Sequence, residues 1–229
     1  MRAIARILTR EGRTANAPVT NGVPAAHPTA LRILALTFLL ASQEVRGNEI
    51  PVPAIVRFNT VCTNCHEGEC SGRLTFSSGA EAAREHMQRY LGSVTAPEAE
   101  SLFDLLRYTK EHCAHYPVPA AVHAGGIWSA ADLSAWRNSR EGGYFVPLGA
   151  LQAGRYRLHL SLSGSSQGRL KITDERFEPV LDEAFCPGNT QEVVFPSPGG
   201  PLYLTLHTAA ELTGIRLAPM PRQRRTPDP

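Results

Sequence analysis

The chain has 229 residues, 42% hydrophobic and 19% charged, which is ordinary for globular protein and allows one medium domain or two small ones; 19 Gly and 18 Pro call for many turns. Its formal charge of +2 is uneven, because residues 1–47 carry Arg2, Arg6, Arg10, Arg13, Arg32 and Arg46 against Glu11 and Glu44; taking this +4 from +2 leaves −2 for the rest. No basic patch of the kind nucleic acid requires remains, so nucleic acid is excluded as a partner.

Ala30 to Ala41 (ALRILALTFLLA) is a 12-residue apolar run broken only by Arg32. It is short for a bilayer span and suits the hydrophobic region of a secretory signal, cleaved after Gly47 in Val45-Arg46-Gly47. A short membrane anchor is the competing reading. The 29 residues before the run are long for such a signal and suggest a downstream start codon or a disordered leader. Residues 1–47 are thus expected to be leader and signal peptide, and the mature chain periplasmic or secreted.

Asn48 to Phe58 (NEIPVPAIVRF) reads as an extended lead-in that turns helical towards Cys62-Thr63-Asn64-Cys65-His66. Two thiols spaced C-x-x-C with a histidine directly after them are what covalent attachment of a c-type haem requires. Each sulfur would close a thioether to a vinyl group, and the His66 imidazole would bind the iron from the proximal side. Five Cys and eight His in 229 residues give this pattern by chance about 0.004 times. The alternatives are a redox dithiol or half of a zinc site, with Cys70, His112, Cys113 and His115 as the second zinc pair. Thioether attachment is completed outside the cytoplasm in bacteria, so motif and signal name one compartment. In an oxidising compartment Cys70 and Cys113 are expected to pair as a disulfide. Cys186 is then the odd cysteine, buried or paired between chains.

From Ala80, residues Ala83, His86, Met87, Tyr90 and Leu91 recur at helical spacing, and Gly92 supplies a stop. A second helix starts at Thr95-Ala96-Pro97-Glu98, where Thr95 can cap Glu98 N–H and the Glu98 carboxylate can return the bond. Leu102, Leu105, Leu106, Thr109 and Cys113 line its face, and Tyr116-Pro117 ends it. Residues 48–118 are therefore expected to be a small all-α domain, too short to bury much core unless a porphyrin adds apolar surface.

Beyond Pro119 the texture changes to short alternating runs: Gly143 to Pro147, Gly154 to Leu162, Gly168 to Thr173, Gln191 to Phe195, Pro201 to Thr208 and Gly214 to Pro219. Tyr156, Leu158, Leu160 and Leu162 face one way, and Arg157, His159 and Ser161 the other. Residues 119–219 are expected to form an all-β antiparallel sandwich, jelly-roll-like, with 220–229 a disordered tail.

Cys62 to Pro117 resembles a small monohaem cytochrome c domain: the C-x-x-C-H motif, a linker, a helix carrying Met87, and a capped helix carrying Glu98-Ala99, Leu105-Leu106 and Tyr108. The resemblance covers about 55 residues, of which the haem motif is the specific part. It implies one covalently attached haem c, electron transfer with no bond chemistry, and redox partner proteins. Cys70, so soon after the motif, departs from the family pattern. The second half resembles the jelly rolls of carbohydrate-binding modules and galactose-binding-like domains, through Gly142/Gly143 to Leu160 and the ending Gly214 to Leu217.

The iron ligands expected are His66 and, on the far side, Met87, whose thioether suits ferrous iron and raises the potential. His86 and Cys113 are the alternatives, and a vacant sixth position is a further one. Tyr90, Phe103, Leu106 and Tyr108 are expected near the ring edge, and His112 and His115 exposed at a helix end. Trp128, Trp136, Tyr144, Tyr156 and Tyr203 are candidates for a sugar-stacking platform, although such aromatics are usually core. No catalytic triad or carboxylate pair is placed on a shared scaffold, so no catalytic residue is assigned. The expected function is an exported monohaem single-electron carrier whose sandwich docks it to a partner or surface. The alternatives are a polysaccharide-binding module with a fused electron-donating cytochrome, and a haem-based gas or redox sensor.

Overall fold

Three short helical pieces run without a break into the thiol motif in the computed structural model, which describes residues 49–66, 79–118 and 124–221. Helix α1 (Val52–Arg57) passes into a π-helical turn, Phe58–Cys62, and then into α2 (Thr63–His66). A π-turn widens the helix by one residue and is frequent at functional sites. Thr60 Oγ1 donates to Val56 O at 2.8 Å and Thr63 Oγ1 to Asn59 O at 2.8 Å, so both buried hydroxyls are satisfied within the segment.

Helix α3 (Ala80–Leu91) ends at Gly92, whose φ of 69° is open to glycine at no steric cost. Helix α4 (Ala96–His112) starts as its sequence predicts: Glu98 N–H donates to Thr95 Oγ1 at 3.4 Å, with proline in the first turn. The return bond expected from Glu98 is replaced. Its carboxylate accepts from Arg57 Nη1 at 2.5 Å instead, because a buried guanidinium competes better for it than a solvent-facing N–H. The helix ends at His112, earlier than the Tyr116-Pro117 stop, with Cys113 as a left-handed cap at φ 51°.

The strands are β1 (Ile127–Ser129), β2 (Tyr144–Leu151), β3 (Gly154–Asp174), β4 (Pro179–Ser197), β5 (Gly200–Thr208) and β6 (Leu212–Pro219). All pair antiparallel in one six-stranded sheet. Strand β3 pairs with β4 along its length, and with β6 over Tyr156–Leu162 but with β5 over Gly168–Asp174. Register shifts between Ser161 and Gly168 mark the bend. The sheet thus folds into two leaves: β1 and β6 with the first half of β3, and β2 and β5 with its second half. Leu158, Leu160, Leu170, Ile172, Phe195, Leu204, Leu206 and Ile215, from both leaves, share one buried cluster, as a sandwich requires. The alternation predicted for Tyr156 to Leu162 is observed. Between β1 and β2, α5 (Ala130–Ser134) starts from a capping box of Ser129 and Asp132.

Strand β2 is buried on both faces except at Ala150. Tyr144, Val146, Leu148 and, past the irregularity between Pro147 and Gly149, Leu151 face the sandwich core, while Phe145 turns outward with Tyr203 of β5. These two rings, stacked 5.5 Å apart, join a second cluster with Ile55, Phe58, Met87, Leu91, Leu102 and Leu105. The helical segment therefore covers the outer face of one leaf.

No helix among the described residues is long and apolar enough to cross a membrane. The expected signal peptide, Cys70 and most of the expected tail 220–229 lie outside the described residues.

Candidate haem-binding cleft

The π-turn and α2 form one wall of a cleft, and α3 and α4 form the others. Its lining brings together Cys62, Cys65, His66, His86 and Met87 with Phe58, Val61, Ala83, Tyr90, Leu91, Leu102 and Leu106, around about 850 Å³ of space including the mouth. Two thiols, two imidazoles and a thioether thus converge on a cavity whose remaining lining is apolar apart from the Tyr90 hydroxyl. Both thiols are free, Cys65 exposed and Cys62 partly so. Burial pushes the Cys62 thiol up to about 11, against a smaller opposing pull from Arg57. Such a thiol stays protonated near neutrality, whereas redox dithiols depend on a depressed value.

The helix facing the motif has an unusual distribution of exposure. Met87 and Leu91 are buried in the second cluster, but His86 and Tyr90, one residue behind each, are exposed, Tyr90 by 60%. The His86 ring lies 5.0 Å from Tyr90 and 6.0 Å from His66, the latter at an interplanar angle of 63°. A flat apolar group seated in the cleft would cover this uncovered wall, so the residues present fit a porphyrin.

The other candidates fall elsewhere. Cys113 is disulfide-bonded and does not line the cleft. Tyr108 stacks on exposed His112 at 4.1 Å, away from the cleft, while Leu106 and Tyr90 do reach it. His115, expected to be exposed, is buried, because the chain after Cys113 turns onto the sheet and His115 N–H donates to Glu175 O at 2.8 Å. Its ring packs 4.0 Å from Phe177 and 4.5 Å from Tyr203. No group of three or more His, Cys, Asp or Glu among the described residues could hold a lone metal ion, and the alternative zinc pair from Cys70, His112, Cys113 and His115 lies partly outside them at Cys70. Trp128, Tyr144, Tyr156 and Tyr203 are buried and serve the core rather than an open stacking platform; Trp136 is partly buried against it. Cys186 is exposed and free, so of the two expectations for it, burial or pairing between chains, burial is not met.

Sequence reasoning missed Arg57. It is buried at 4% exposure and donates to Glu98 at 2.5 Å, to Leu91 O at 2.5 Å and to Glu141 at 2.7 Å. Burial disfavours the charge, but hydrogen bonds and charges of Glu141 and Glu98 outweigh it and hold the guanidinium above its usual value. One side chain thereby ties α1 to the end of α3, the start of α4 and the loop before β2. A single charge inside the apolar stretch Ile50 to Phe58 was the available signal.

No family model matches the chain, and no curated protein matches it. Among solved structures, it is similar to a family GH115 4-O-methyl-α-glucuronidase with specificity for decorated arabinogalactans, at 14% identity and a TM-score of 0.30 over 62% of this chain and 24% of that one. A family 35 carbohydrate-binding module from an environmental isolate shows 19% identity and a TM-score of 0.26, over 35% of this chain and 71% of that one. YcfD, a ribosomal oxygenase from Escherichia coli, shows 18% identity and a TM-score of 0.18, over 48% of this chain and 37% of that one. The chain thus spans about a quarter of the glucuronidase it matches.

Proposed function

We propose that the chain is an exported monohaem c-type cytochrome that carries single electrons. The observation that carries this reading is the convergence of Cys62, Cys65 and His66 on one apolar cleft with His86 and Met87 across it. Cys62 and Cys65 would hold the haem by thioethers and His66 would ligate its iron, supplying a reversible one-electron couple. Phe58, Leu91, Leu102 and Leu106 would bury the ring and keep water from it, which with the axial ligands sets the potential. Arg57 fixes the walls: it holds α1, and so the motif that follows, against α3 and α4. Redox partner proteins would meet the motif at exposed Cys65 through a small transient interface. The sandwich would dock the carrier to a partner or surface, its polar outer groove of Arg157, His159, Ser161, Glu192 and Arg216 being the face available.

The test is to express the full chain with a c-type haem maturation system and extract it with acidified acetone. The wild type should keep its iron pigment in the protein, and the double variant Cys62→Ser, Cys65→Ser should lose it. A colourless wild type, or pigment that the acetone removes, would end the haem reading.

A further inference from the structure

Resting on that reading, we infer that the sixth iron ligand is His86, so that the iron carries two imidazoles and no thioether. The ring centroids of His66 and His86 stand 6.0 Å apart on opposite walls of the cleft. A five-membered ring with bonds of about 1.33 Å places each nitrogen about 1.1 Å from its centroid. With one nitrogen of each ring turned to the midpoint, a metal there would be about 1.9 Å from both, close to the about 2.0 Å of a metal–imidazole bond. The 63° between the ring planes is compatible, because each imidazole can lie at any angle about the axis through the metal.

Met87 is placed for another task. One residue along a helix turns the side chain by about 100°. That step takes Met87 off the face of His86 and Tyr90 and onto the face of Leu91, where it is 7% exposed, shares a cluster with Ile55 and Leu105, and lines the cleft with Phe58 and Leu102. Met87 is already held by the cluster that lines the cleft, whereas His86 is exposed on the wall that faces His66. Tyr90, at i+4 from His86, lies 5.0 Å from the imidazole on the same helix face. Two imidazoles give a lower potential than a His/Met pair, and they leave no open position for a diatomic gas.

The holoprotein and two variants decide the matter by spectroscopy. Wild-type ferric protein should be low-spin without the long-wavelength sulfur-to-iron charge-transfer band. His86→Ala should lose the low-spin signature, admit carbon monoxide to the ferrous iron on mixing, and regain the wild-type spectrum with added imidazole. Met87→Leu should stay low-spin. A sulfur band in the wild type that Met87→Leu abolishes would overturn the assignment, as would an unchanged spectrum in His86→Ala. Failure of the wild type to attach haem at all is a different result and sinks the parent reading.

Discussion

His115 Nδ1–H donates to Asn59 Oδ1 at 3.1 Å, while His115 Nε2 accepts from the Thr173 hydroxyl at 3.0 Å. One neutral imidazole thus bridges the π-turn that leads into the thiol motif and the second half of β3. The Asn59 carbonyl is the acceptor because its amide nitrogen already donates to Ile55 O at 2.9 Å. Burial, aided by the charge of Lys171, holds the His115 pKa down at about 3 against an ordinary 6.5.

The sign of the pH effect follows. The folded chain keeps His115 neutral, while the unfolded chain takes up a proton below about 6.5. Stability from this group is complete above pH 6.5 and is lost as pH falls towards about 3. The loss can reach several kcal/mol on the order-of-magnitude scale of such linkage. Urea titrations at pH 8, 5 and 4 should show it, and His115→Gln should be less stable at pH 8 but flatter below. Equal acid sensitivity in the two proteins would show that other groups govern the acid limb.

Replacing Arg57 by Met should strand Glu98, Glu141 and the Leu91 carbonyl together. Breaking a buried ion pair from one side costs about 3–5 kcal/mol. The two glutamates keep 21% and 25% of their side-chain surface, and water can reach them, so about 2–3 kcal/mol is expected here. Arg57→Lys should recover only part, since a lysine cannot span three acceptors with a rigid fork. Denaturation midpoints at constant m-value would check this, and a neutral Arg57→Met would remove the clamp from the account.

Gly168 lies where β3 meets both β4 and β5. A Cβ there would stand 2.3 Å from the His207 carbonyl oxygen and 2.5 Å from the Phe185 ring. The carbonyl belongs to the sheet and cannot retreat without breaking pairing, so Gly168→Ala should cost about 1–3 kcal/mol. Gly164→Ala is the control, because a Cβ there meets nothing within 4 Å. If the two variants melt together, the close approach has been overestimated.

Haem attachment should lower the number of titratable thiols by two. Cys62, Cys65 and Cys186 are the free thiols among the described residues, and thioether formation would consume the first two. Cys186, exposed on β4, should label with a maleimide in both apo and holo protein. In the apo protein Cys62, with its value pushed up to about 11 by burial, should react more slowly than Cys186. A thiol count unchanged by haem would mean that the pigment is held without covalent bonds.

Local chemistry was legible where short-range rules decide it. The start of α4 at Thr95-Ala96-Pro97, the stop of α3 at Gly92 and the alternation of Tyr156 to Leu162 all appear as the sequence predicts. Contacts between distant segments were not. Nothing near Glu98 announces that Arg57 takes its carboxylate, and nothing near Cys113 announces that a left-handed cap turns His115 into the protein. The runs Gly154 to Leu162 and Gly168 to Thr173 read as two strands because glycines and serines separate them. They are one, since β4 pairs with both across the bend. At the site, spacing nominated Cys62, Cys65 and His66 and helical periodicity offered Met87 and His86, while the 6.0 Å approach of the His86 ring to His66 required the fold.

Strand β3 has a mechanical consequence. A single stretch of 21 residues supplies backbone partners to every other strand except β1 and β2, and it does so in both leaves. Neither leaf can therefore be excised by cutting the chain at the bend, since each fragment would keep only part of its ladder. A protease that nicks near Ser163 to Gln167 should find the protein either intact or wholly digested, with no resistant half. Grafting one leaf onto another scaffold should fail for the same reason.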